Sequence, residues 1–127
     1  MAKRIVSAKD VAFVYDFAVD GGGVSTINMG VFLPNNAVVE YGCAKVLTAC
    51  TSGGACNISV GWTGATGALI AATAVATWAL AAVIEGVDLI VAMVEATAAR
   101  QLAVTIDTNA VTAGKFIYWC HYVELDE

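Results

Sequence analysis

Residues 11–20, VAFVYDFAVD, alternate with a period of two: Val11, Phe13, Tyr15, Phe17 and Val19 share one face, and Ala12, Val14, Asp16, Ala18 and Asp20 the other. That pattern predicts a half-buried strand. Gly21-Gly22-Gly23 breaks it, because glycine admits the positive φ of a sharp turn. Residues 24–33 read as a second strand, closed by Pro34-Asn35-Asn36. A third strand covers 37–49. Its alternation slips between Gly42 and Lys45, where a bulge would restore the phase. Thr51-Ser52-Gly53-Gly54 is a turn, and 56–62 alternates again with Cys56, Ile58, Val60 and Trp62 inward.

The middle of the chain is rich in Ala and Leu, which favour helix. A short helix or loop insertion is therefore expected around 65–78. Residues 79–84 and 88–96 read as strands separated by a break at Glu85-Gly86, although the continuous apolar run of the second also admits a helix. In QLAVTID, residues 101–107, Leu102, Val104 and Ile106 share a face. Residues 115–125, KFIYWCHYVEL, place Phe116, Tyr118, Cys120 and Tyr122 on one face and Ile117, Trp119, His121 and Val123 on the other. Both faces are largely apolar, as in a central sandwich strand or a subunit interface. About eight strands with turns between them predict an all-β, jelly-roll-like sandwich. One domain is expected over 11–127, preceded by an N-terminal arm over 1–10.

Composition sharpens this in one respect. Hydrophobic residues make up 59% of the 127 and charged ones only 13%, too little charge to cover a free monomer, so part of the surface is expected to meet other subunits. The net charge of −5 argues against a nucleic-acid partner, which needs clustered Lys and Arg. Half of the six basic residues, Lys3, Arg4 and Lys9, lie in the first ten positions. The uncharged run from Gly64 to Ile84 has the length of a membrane span. It is built on Ala, Thr and Gly, however, which carry little transfer energy, so no membrane association is expected.

Candidate chemistry is sparse, and the chain does not read as an enzyme. Cys120 and His121, the sole histidine, are adjacent on a strand and point to opposite faces, which suits neither a nucleophile pair nor a shared metal. Cys43, Cys50 and Cys56 have no common zinc or redox spacing and read as small buried hydrophobes of a reducing cytoplasm. Gly21-Gly22-Gly23 lacks the Lys-Ser or Lys-Thr of a phosphate loop. Asp10, Asp16, Asp20, Asp88 and Asp107 lack calcium-loop spacing. Trp62, Trp78 and Trp119, with Tyr118 and Tyr122, would suit a sugar platform, but large aromatics in apolar phase read as core or interface. Arg100 reads as a solvated or ion-paired side chain. Neither a cofactor nor a metal is expected.

Two stretches carry a resemblance. LPNNAVVEYGCAKVLTACTSGGACNISVGW, 33–62, is similar to the strand–turn–strand of small tailed-phage capsid decoration, or cement, proteins: Leu-Pro before a Val-Val strand, a Thr-rich end, a Ser-Gly-Gly turn and an Ile-Ser-Val-Gly strand. ATAARQLAVTIDTNAVTAGKFIYWCHYVEL, 96–125, resembles their closing hairpin, in which Thr-Ala-Gly-Lys turns into an aromatic strand. The resemblance covers roughly 30–125; Cys43, Cys50 and Cys56 depart from the pattern. It implies a homotrimer on the outer surface of a virion, made in the host cytoplasm, that clamps neighbouring major capsid subunits. On that reading Tyr118, Trp119 and Tyr122 are candidates for the subunit interface, and Lys3, Arg4 and Lys9 for capsid contact. The alternative is a tail or fibre component binding a host receptor or glycan.

Overall fold

The computed structural model describes residues 4–86 and 94–126. The strands are β1 (Arg4–Asp16), β2 (Ser25–Leu33), β3 (Ala37–Ser52), β4 (Asn57–Trp62), β5 (Ala65–Ala74), β6 (Val83–Glu85), β7 (Val94–Glu95), β8 (Arg100–Asp107) and β9 (Val111–Asp126). One helical turn, α1 (Phe17–Asp20), follows β1. One sheet runs β1-β9-β3-β6, with β7 also on β3; the other runs β2-β8-β4-β5. Every pairing is antiparallel. The chain crosses between sheets at β1–β2, β2–β3, β3–β4, β5–β6, β7–β8 and β8–β9, and the result is an all-β sandwich of two antiparallel sheets.

The two sheets close on one core. From the first sheet come Phe13, Tyr15, Ala44, Val46, Phe116, Tyr118 and Cys120, and from the second Ile58, Val60, Leu102, Val104 and Ile106. Aromatic rings fill its centre: Phe116 lies 4.6 Å from Trp78 and 5.3 Å from Tyr15, and Phe13 lies 5.4 Å from Tyr118. Trp78 is fully buried, and its indole N–H donates to the Thr73 carbonyl at 3.3 Å. A buried indole without such a partner would leave an unmatched donor.

Three parts of the sequence fold otherwise than their pattern predicts. The strand expected over 11–20 stops at Asp16, whose carboxylate accepts from the Ala18 N–H at 3.0 Å while its own N–H donates to Asp20 at 2.9 Å. These paired side-chain bonds turn the backbone into α1, as a helix cap does. The insertion expected around 65–78 is mostly strand. Residues 65–74 form β5 on the edge of β4, and only Val75–Thr77 form a 3-10 turn. Helix propensity is a weak prior, and pairing with β4 while burying Leu69 and Ile70 outweighs it. Residues 4–10, read as an arm, are the first half of β1. They pair with β9 from Arg4↔Asp126 onward, because β9 extends far enough to satisfy their backbone groups.

Of the two later strands, the first shortens to β6. The second, over 88–96, falls mainly outside the described residues apart from β7. The uncharged run of 64–84 is spent on β5, the 3-10 turn and β6. No helix among the described residues is long and apolar enough to cross a membrane.

Candidate interaction surface

The outer face of the β1-β9-β3-β6 sheet is built in cross-strand rows, because directly opposed residues in an antiparallel sheet share a face. One row is Val14, Ile117, Lys45 and Val83; the next is Ala12, Trp119, Cys43 and Glu85; the third is Asp10, His121 and Tyr41. Val14, Tyr41 and Val83 are exposed, as is Leu47 further along β3. The other sheet presents Thr26, Thr105, Asn28, Asn57 and Asp107 outward, joined by hydrogen bonds such as Thr26–Thr105 at 3.0 Å and Asn57–Asp107 at 3.2 Å. The first outer face therefore mixes exposed apolar side chains with Lys45, Glu85, Asp10 and His121, while the second is small and polar apart from the exposed Phe32 opposite Gln101.

The phase of β9 decides where the predicted interface residues go. Tyr118 is 0% and Tyr122 5% exposed, so both are core residues of the protomer. Trp119 lies on the opposite face, half-buried among Ala12 and Cys43. The structure thus separates the three aromatics. Of the basic residues, Lys9 is exposed on β1, Arg4 begins that strand, and Lys3 lies outside the described residues.

The third row carries a polar constellation that the strand pattern alone does not reveal. His121 Nδ1 donates to Asp10 at 2.8 Å, its Nε2 lies 3.5 Å from Glu40, and Tyr41 stacks on the imidazole with centroids 5.0 Å apart. These partners are 111 residues apart in the case of Asp10, so only the register of β1 on β9 joins them. The cysteines are free. Burial raises all four thiols, and pushes Cys50 and Cys120 each up to about 11, so they stay protonated and poorly nucleophilic at neutral pH. Among the described residues no three His, Cys, Asp or Glu side chains converge to hold a metal ion.

No protein-family model and no curated protein matches the sequence. Solved structures do match. A chain of the acidic stable capsid of Helicobacter pylori bacteriophage KHP30 is 13% identical with a TM-score of 0.69, covering 98% of this chain and 95% of that one. A chain of the cyanophage Pam1 capsid is 16% identical with a TM-score of 0.69, covering 92% and 84%. A chain of the capsid of Ralstonia phage GP4 is 19% identical with a TM-score of 0.62, covering 98% and 88%. At such identities the likeness is one of fold.

Proposed function

We propose that the chain is a structural virion protein that decorates and stabilises a phage capsid, binding as a homotrimer across major capsid subunits on the outer surface of the shell. The observation that carries the reading is the end-to-end likeness of fold to a phage capsid chain, over 98% of this chain and 95% of the other. The apolar side chains grouped on the outer face of the β1-β9-β3-β6 sheet add to it. A face holding Trp119, Ile117, Val14, Tyr41 and Val83 suits contact with a second copy of the chain. Lys9, with Lys3 and Arg4 at the same end of the chain, is proposed to meet acidic groups of the capsid.

Such a protein needs no catalysis. It binds the assembled shell and not the dispersed subunits, so its binding free energy is added to the assembled state. Three linked copies multiply individually weak contacts. The test is to mix purified protein with expanded shells that lack it, pellet them, and record shell melting. Saturable co-sedimentation with a raised shell melting temperature is expected. A soluble oligomer that never pellets with shells would overturn the proposal in favour of a receptor-binding tail or fibre component.

A further inference from the structure

The alternation of β8 places Arg100 in phase with Leu102, Val104 and Ile106, the inward-facing residues of that strand. A guanidinium therefore sits where the apolar core ends, opposite the fully buried Leu33. It lies over the ring of Trp62, 5.9 Å from its centroid. Its Nε is buried and has no hydrogen-bond partner. No carboxylate among the described residues is seen to pair with it. Beside it opens a recess of about 230 Å³ lined by Asn28, Trp62, Thr63, Ala99, Arg100 and Gln101. The recess lies where β2 leaves register with β8, between Asn28↔Ala103 and Phe32↔Gln101.

We propose that this recess is a carboxylate-binding site. The guanidinium lines the recess without a carboxylate partner among the described residues, and a charged acceptor there would form a strong hydrogen bond with the N–H groups it presents to the recess. The planar fork of a guanidinium fits a planar carboxylate through two parallel N–H donors. The Asn28 and Gln101 amides and the Thr63 hydroxyl line the same recess and can orient the second oxygen. The Trp62 ring supplies an apolar wall for the methylene groups of an Asp or Glu side chain. A single cation without a helix N-terminus suits a singly charged carboxylate better than a phosphate, whose sites gather several positive groups or backbone N–H donors. The carboxylate comes from a side chain of a partner polypeptide or from a free small acid. The inference does not require the shell-binding reading.

The experiment follows the Arg100 Nε–Hε resonance of the 15N-labelled full chain while sodium acetate, end-blocked Gly-Glu-Gly or inorganic phosphate is added. Acetate and the peptide are expected to shift that resonance saturably. Arg100→Gln should weaken binding at least tenfold, Arg100→Lys should weaken it for want of the fork, and Lys115→Gln should leave it unchanged. Peptide binding tighter than acetate identifies a polypeptide source, and equal binding a free acid. The proposal is overturned by an unmoved Arg100 resonance with both carboxylates, by undiminished binding in Arg100→Gln, or by phosphate binding more tightly than either. Should Arg100→Gln fail to fold, the resonance of the unaltered chain still decides.

Discussion

Gly42 shows how one residue sets the packing of a sheet. It faces inward on β3 opposite Cys120, and a Cβ built there would come 2.6 Å from the Tyr118 hydroxyl and 2.8 Å from the Cys120 Cβ. The buried Tyr118 ring thus depends on a missing side chain across the strand. Gly42→Ala is expected to lower stability by about 1–3 kcal/mol, the usual cost of overfilling a packed core. Urea unfolding measures it, and an unchanged midpoint would contradict this account. The sequence announced the neighbouring irregularity but misplaced it. The alternation slips after Gly42, whereas the register on β9 shifts to either side of that stretch, between Val39 and Tyr41, with Glu40 as the extra residue, and again between Val46 and Thr48. Period-two reading shows that a phase changes; the partner strand decides which residue is squeezed out of the ladder. Arg100, which reads from the sequence as a solvated or ion-paired side chain, instead lies over the Trp62 ring. Its spacing from Leu102 puts it in the inward phase of β8, and that no carboxylate among the described residues faces it is a tertiary fact.

At the scale of the element, β9 organises one whole sheet. It lies between β1 and β3 and exposes a different chemistry on each side, Phe116, Tyr118, Cys120 and Tyr122 inward and Ile117, Trp119 and His121 outward. If the outward side packs against another copy, Trp119→Asp should shift the chain from oligomer toward monomer at micromolar concentration, as read by sedimentation velocity. Tyr118 and Tyr122 are inside the protomer, so substitutions there should instead lower its unfolding midpoint. A Trp119→Asp protein of undiminished mass would remove this face from the proposed interface. The two apolar faces of β9 were visible in the sequence; which one is interior was not, since both satisfy the same pattern. For β5 the difficulty was propensity. Its many alanines favour a helix locally, while Leu69 and Ile70 reach the core only if the segment extends along β4.

At the scale of the molecule, the single core contains groups whose ionisation opposes folding. Burial raises Cys50 and Cys120 from the ordinary thiol range to about 11, and also raises Tyr15 and Tyr118 above the usual phenol range. Unfolding restores the ordinary values, so between those and the folded values the unfolded chain binds fewer protons than the folded one. Stability then falls as pH rises. The contribution of the two thiols should be complete at neutral pH and lost progressively from the ordinary thiol range up to about pH 11. Thermal melting across that interval checks the sign, and replacing Cys50 and Cys120 by Ala should flatten the lower part of the curve. A midpoint that rose through the interval would be incompatible with thiols buried in their neutral form.

The chain's own alternation of apolar and polar residues determined that it forms strands, where most of them lie and that they stack as a sandwich, because a period of two is a local property of the backbone. Its composition determined how few ionisable groups it carries, with charged residues at 13%. Tertiary structure alone decided which face of β9 is interior, that residues 65–74 extend rather than coil, and that Asp10 meets His121 and Arg100 meets Trp62. Those outcomes depend on register and on contacts between distant segments, where burial and pairing outweigh what any short window of sequence prefers.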